Sequence, residues 1–349
     1  MRLPSVVLAA LALAACSDAL EQDTTVGQVI VLADSGTNGL SVISASRFTA
    51  TGVFGGGEPF AGPVRMTASD SFVFLTVGSG DSLAMLHLVG GGGAAASHFY
   101  GLGTGARGVG SIGLQSSGLA WQMWVPLAGV NRVMRATFPV IDTASFATGP
   151  RPMAAVISGG TLFVVNANAV NNSPAGASSL TWLSIATPTT GGTIPLTGTN
   201  AQFITVGADG LLYVIERGAA GAADGRLSIV DPVAKVELAV INGLGELPGG
   251  AVYHPSGRLL VASATHGILE VNTLTRGLVR GPGQGITPGN DGVAAIALDQ
   301  RGRVYAVGAS CGPGTVRILT APPEYAILRS VPAGSCVRAA AAAYQAGVP

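Results

Sequence analysis

A chain of 349 residues with 18 Lys+Arg and 18 Asp+Glu is charged at only 10% of its positions, where about 25% is usual, and its net charge is zero. Glycine fills 52 positions, about twice its usual share, without the three-residue period of a collagen helix. With 48% apolar residues these values exclude a disordered chain, and the lack of a basic run leaves no counterion-releasing surface for nucleic acid.

In chain order the first element is Met1-Arg2, a short positive start, followed by an apolar run from Leu3 to Leu13 and the small-residue site Leu13-Ala14-Ala15-Cys16. The run is too short to span a bilayer. This stretch resembles a bacterial lipoprotein signal. The resemblance implies cleavage before Cys16, whose sulfur and new amino group are then acylated. Residues 1–15 are thus read as signal peptide, 16–27 as a polar tether and 28–349 as the folded body. An ordinary secretory signal is the alternative. Several acyl chains on one residue exceed what stable anchoring needs. The expected address is extracytoplasmic, on the periplasmic side or the cell surface, with the membrane as first partner through Cys16.

From Gln28 onward one unit recurs: a strand, a tight turn ending in a small residue, a second apolar strand, a longer Gly/Asn/Ala-rich loop, then two more strands. The small residues are Gly27, Ser71, Gly118, Gly160, Gly210, Gly257 and Gly302, spaced about 42 to 50 residues apart. That period, built from short strands, predicts a β-propeller with one four-stranded blade per repeat. Second strands such as Val29-Ile30-Val31-Leu32, Phe72-Val73-Phe74-Leu75 and Leu162-Phe163-Val164-Val165 are apolar on both faces, as blades stacked on either side require. The first repeat lacks its inner strand, and the chain ends in an unpaired apolar run, Val337 to Tyr344. The expected fold is therefore all-β: a seven-bladed β-propeller of four-stranded antiparallel blades, its ring closed by the C-terminal strand completing the first blade. Six blades with irregular ends is the alternative, and the repeat over Arg107 to Thr143 is the weakest.

This architecture bears on Cys311 and Cys336. Strands alternate direction, so the loop after a second strand and the connection between blades emerge on one face. Cys311 belongs to such a loop in the last blade and Cys336 to the connection leaving it. In an oxidising compartment a Cys311–Cys336 disulfide at the ring seam is expected, with two separately buried thiols as the alternative.

Loop lengths then divide the two faces. Tight turns such as Ala208-Asp209-Gly210, Pro255-Ser256-Gly257 and Gln300-Arg301-Gly302 trim one face. The long segments fall on the other, where binding sites usually sit. That face offers Glu58, Asn131, Asn166, Asn168, Glu216, Arg217, His266, Asn290 and Asp291, many of which also serve ordinary turn chemistry. The stretch Val31-Leu32-Ala33-Asp34-Ser35-Gly36-Thr37-Asn38-Gly39-Leu40-Ser41-Val42-Ile43 resembles a YVTN-type surface propeller repeat. Asp291 to Tyr305 is similar to repeats of NHL and gluconolactonase-like propellers. Both resemblances imply fold and not chemistry.

Catalytic motifs dissolve in this frame. Gly108-Val109-Gly110-Ser111-Ile112-Gly113 matches a dinucleotide glycine pattern, but no helix follows, and it is read as a strand of blade 3. Gly308-Ala309-Ser310-Cys311-Gly312 matches a nucleophile elbow but joins two antiparallel strands. His87, His98, His254 and His266 show no metal-ligand spacing, and His254 reads as a core residue. No cofactor motif is present. The expected function is a non-catalytic docking scaffold, an accessory subunit held against another envelope or membrane-complex protein. Charge scarcity supports this, because a free surface usually carries about 25–35% charged residues. The alternative is a lactonase-like hydrolase holding a divalent cation on Glu58, Asn166 and Asp291.

Overall fold

Runs of β-branched and aromatic residues between glycine-rich turns give strands throughout, and a computed structural model shows how they assemble. It describes residues 27–37, 39–54, 65–77, 81–90, 93–103, 105–107, 111–117, 120–139, 142–171, 173–289, 292–312 and 314–345. Cys16, Glu58, Asn290 and Asp291 lie outside these residues, as does the whole 1–26 segment.

Seven four-stranded antiparallel sheets form the ring. From the axis outward, blade 1 is Val337–Tyr344, Gln28–Asp34, Gly39–Ser44 and Ala50–Phe54. Blade 2 is Arg65–Ser69, Phe72–Val77, Ser82–Val89 and Gly93–Gly101; blade 3 is Gly113–Ser117, Ala120–Leu127, Arg132–Phe138 and Thr143–Ala147. Blade 4 is Pro152–Ser158, Thr161–Asn166, Ala177–Ser184 and Gly191–Thr199; blade 5 is Ala201–Val206, Leu212–Glu216, Gly225–Asp231 and Val236–Gly245. Blade 6 is Ala251–His254, Arg258–Ser263, Gly267–Asn272 and Gly277–Arg280; blade 7 is Val293–Leu298, Val304–Gly308, Thr315–Leu319 and Ile327–Pro332. The segment read as the weakest repeat is a complete blade.

The C-terminal strand closes the ring as expected. It pairs antiparallel with Gln28–Asp34, Gln28 facing Tyr344 and Ala33 facing Ala339. Its run Ala339 to Ala343 is small because inner strands crowd the axis. Gln28 and Tyr344 also reach the flanking blades: the Gln300 N–H donates to Gln28 Oε1 at 2.9 Å, and the Tyr344 N–H to the Asp70 carbonyl at 2.7 Å.

The core is divided among the blade interfaces. Between blades 1 and 2 it is Val29, Val31 and Leu40 against Val73, Leu75 and Leu86, and between blades 7 and 1 it is Tyr305, Val307 and Ile318 against Ile30, Leu32 and Ile43. Phe74 of blade 2 meets Trp121 of blade 3 with ring centroids 5.1 Å apart and tilted, a favourable aromatic geometry. The second strand of blade 1, Gln28–Asp34, is buried along its whole length because it is covered on both faces. Among the turn-ending residues Gly27, Gly160, Gly210, Gly257 and Gly302 have positive φ, which accounts for glycine there.

Two details differ from the sequence reading. The loop after Asn166 contains a small hairpin, Ala169–Val170 with Ser173–Pro174. Ser111 and Ile112, at the end of the glycine pattern, form no strand but feed the inner strand that begins at Gly113; Gly108 to Gly110 lie outside the described residues.

Candidate functional site

Strand order puts the loops after second strands and the blade-to-blade connections on one face, and the tight turns on the other. The described residues expected on the loop face are all there, His266 by itself in the blade 6 loop and the others in three settings.

The first setting is a pocket of about 420 Å³ between blades 3 and 4, lined by Arg107, Asn131, Arg151 and Asn168 among others. Asn131 and Asn168 both have positive φ, which Asn tolerates, so each shapes its turn. The Arg151 N–H donates to Asn131 Oδ1 at 2.8 Å, Arg151 Nη1 to the Ala169 carbonyl at 3.0 Å, and Asn168 Nδ2 to the Ala177 carbonyl at 3.1 Å. The first of these contacts joins the loops of the two blades, and the other two brace the loop of blade 4.

The second setting is buried. Asn166 ends the second strand of blade 4, one strand outward from the axis, and its Nδ2 donates to Ser179 Oγ at 3.1 Å and Thr181 Oγ1 at 2.9 Å. Glu216 ends the second strand of blade 5 and is 1% exposed. Ser228 Oγ lies 3.0 Å from Glu216 Oε2 and 2.6 Å from Glu237 Oε1, so one hydroxyl sits between two carboxyls. Burial, helped by repulsion from Glu237, pushes the Glu216 carboxyl up to about 7, against the opposing Ser228 and Arg226. A carboxyl raised in the folded state favours folding when protonated. Its stabilising influence is full below the unfolded value of about 4.5, declines as pH rises, and is gone above about 7. Between pH 5 and 8 this group is expected to lower the unfolding free energy by about 2–3 kcal/mol, and Glu216→Gln to flatten that part of the profile in denaturant titrations. An unchanged profile in the variant would refute the assignment.

His266 occupies the blade 6 loop, half-buried against Gly245, where an added Cβ would meet its ring at 2.9 Å. His254 is a satisfied core residue, as expected: it is buried, with Nδ1 2.7 Å from Ser256 Oγ and Nε2 3.0 Å from the Gly302 carbonyl. The glycine-serine-glycine match around Ser310 is a loop between Val304–Gly308 and Thr315–Leu319. Cys311 in that loop is disulfide-bonded to Cys336, with Cα atoms 4.4 Å apart.

The third setting is the axial mouth of the loop face, a pocket of about 420 Å³ built by blades 1, 2, 5, 6 and 7. Its lining includes Arg65, Phe203, Arg217 and Arg338 and, among the described residues, no carboxylate. Arg65 opens the inner strand of blade 2 and lies over the Phe203 ring, its Cζ 4.3 Å from the centroid. Arg217 donates from Nε to the Pro248 carbonyl at 3.1 Å, from Nη1 to Gln202 Oε1 at 3.1 Å and from Nη2 to the Leu247 carbonyl at 3.4 Å. Arg338 Nη2 lies 2.8 Å from Cys311 Sγ. Burial, and secondarily the Arg217 charge, brings the Arg65 guanidinium down to about 10, still cationic at neutral pH, and burial also lowers that of Arg217.

A local device aims these groups. Four inner strands carry an extra, unpaired residue at their loop-face end: Arg338 in blade 1, Met153 in blade 4, Gln202 in blade 5 and Ala294 in blade 7. Such bulges re-aim side chains at the rims of closed sheets. Of the mouth residues, sequence reasoning named only Arg217. Of the cation set Glu58, Asn166 and Asp291 only Asn166 is among the described residues: its Nδ2 is engaged inside blade 4, its Oδ1 is buried with no hydrogen-bond partner among them, and the other two lie outside. Among the described residues no three His, Cys, Asp or Glu gather as a metal site.

No protein-family model and no curated protein sequence matches the chain. Solved structures do match in fold. A functionally unknown protein from Desulfotomaculum acetoxidans superposes with a TM-score of 0.64 at 13% identity, covering 91% of this chain and 99% of that one. Hydrazine synthase of Kuenenia stuttgartiensis gives 0.61 at 14% identity over 80% and 89%. Apo AztD from Citrobacter koseri gives 0.53 at 13% identity over 91% and 98%. At these identities the likeness concerns the propeller fold, which hosts unrelated functions.

Proposed function

We propose that this chain is a lipid-anchored extracytoplasmic binding module, a non-catalytic propeller that presents its loop face to another envelope or membrane-complex protein. The observation that carries this reading is where the chain enters the ring. Gln28 pairs with Tyr344, and the Gln345 N–H donates to the Gly27 carbonyl at 2.8 Å, so Gly27 sits on the tight-turn face. The other end of the same strand, Asp34, sits with Ser335 and Cys336 on the loop face. A tether from an acylated Cys16 would therefore join the trimmed face, which favours a pose with the loop face turned away from the bilayer.

Twelve tether residues, 16 to 27, span at most about 40 Å when extended, enough to hold the ring close to the membrane without embedding it. Val233 and Leu274, each 89% exposed, cap turns of blades 5 and 6 on the face turned toward the lipid. The charge scarcity is consistent with a surface that is covered in use.

Fractionation of cells making the full chain tests the anchor. The wild-type protein is expected with the membranes, its N-terminal peptide beginning at an acylated Cys16, and Cys16→Ala is expected in the aqueous fraction with its fold intact. A wild-type chain recovered in the aqueous fraction with an unmodified Cys16 would overturn the anchor.

A further inference from the structure

We propose that the axial mouth of the loop face binds a small, multiply charged oxyanion, a di- or tricarboxylate or a phosphate ester, through Arg65, Arg217 and Arg338. The proposal rests on the reading of that face as the binding face and adds the chemistry of what it takes.

The chain has only 18 Lys+Arg, yet three of them line one pocket whose described lining contributes no carboxylate. Each guanidinium is held by neutral groups alone. Arg217 donates to two carbonyls and an amide oxygen, Arg338 touches a disulfide sulfur, and Arg65 lies on an aromatic face with no hydrogen-bond acceptor among the described residues. The carboxylate adjoining pocket residue Ser35, that of Asp34, is occupied by the Gly36, Ser335 and Cys336 N–H groups and the Thr37 hydroxyl. Like charges gathered in a half-buried cleft repel one another and focus a positive field.

The arrangement is built and not incidental. Gln202, which receives Arg217 Nη1, and Arg338 itself are both extra residues of inner-strand bulges. Two strands thus depart from regular pairing at the places where they serve this cluster. Guanidinium is the side chain whose fork matches carboxylate and phosphate oxygens. The pocket volume of about 420 Å³ is within the range of small-molecule sites, so the ligand is of metabolite size.

Calorimetric titration of the full-length protein in detergent, at constant ionic strength, with citrate, inorganic phosphate and acetate as probes, tests this. Citrate and phosphate are expected to bind more tightly than acetate. Arg65→Gln and Arg338→Gln are each expected to weaken citrate binding roughly tenfold or more. Arg276→Gln, on an exposed turn of the opposite face, should leave binding unchanged. Arg338 is exposed on the rim, so Arg338→Gln decides the matter if Arg65→Gln does not fold. No binding of citrate or phosphate at millimolar concentration, or binding that survives both substitutions, would overturn the site. Either result leaves the docking reading standing, because the titration contains no partner protein and no membrane.

Discussion

Replacing Cys311 and Cys336 together with alanine is expected to lower the unfolding free energy by about 3–4 kcal/mol. The bridge closes a 25-residue loop, and in the chain-entropy account a loop of that length constrains the unfolded chain by roughly this amount. Its position adds to its importance. It ties the loop between the second and third strands of blade 7 to the connection that launches Val337–Tyr344, the strand on which ring closure depends. Without it, closure rests on one strand pairing, the hydrogen bonds that Gln28, Asp34 and Tyr344 make across the seam, and the packing of the blades on either side. Denaturant titrations of the wild type, oxidised and reduced, against the double variant check the value. A difference below about 1 kcal/mol would mean that the seam is held by other means.

Asp34→Ala is expected to cost about 3–5 kcal/mol at neutral pH. Asp34 Oδ1 accepts the Gly36 and Cys336 N–H groups, each at 2.8 Å, and Oδ2 accepts the Ser335 N–H at 2.7 Å and the Thr37 hydroxyl at 2.9 Å. Removing the carboxylate leaves three backbone donors without acceptors beside the seam. The fit is close: a Cβ at Gly334 would stand 2.2 Å from Asp34 Oδ2. Burial resists ionisation of Asp34, but the donors from Ser335, Gly36, Cys336 and Thr37 outweigh it and hold the carboxyl below its ordinary value. Its stabilisation is therefore full above the unfolded value and is lost as pH falls through the lower folded one. Because Asp34 binds Cys336 directly, its effect and that of the disulfide should not add, and a double-mutant cycle should show coupling. Additive losses would show that the two act independently.

Both effects lie on a seam that the amino-acid sequence reveals. A first repeat missing its inner strand and a last apolar run without a partner can be matched by eye, and alternation of strand direction then brings Cys311 and Cys336 to one face. Polar residues at strand ends are harder to read. Asn166 and Glu216 stand at the start of glycine-rich loops, where an exposed binding group and a buried polar group leave the same local pattern. Their burial depends on neighbouring strands, through Thr181 and Ser179 for one and Ser228 and Glu237 for the other. The axial arginines are harder still. Arg65 and Arg338 are 273 positions apart and share no motif, and only closure of the ring makes them neighbours of one pocket. The bulges that aim Arg338 and place Gln202 insert a single residue each, which strand periodicity does not register. Excess glycine is largely turn chemistry, and against so scarce a charge the three guanidiniums at one mouth stand out.

The central claim, that the loop face meets a protein partner while the trimmed face looks to the membrane, is tested most directly by face-resolved photo-cross-linking in intact cells. A photoreactive residue at Val170, 63% exposed in the blade 4 hairpin, reports on the loop face, and residues at Val233 and Leu274 report on the trimmed face. The account expects a discrete protein adduct from position 170 and none from 233 or 274. Protein adducts from 233 and 274 with none from 170, or no adduct from any of the three, would contradict it.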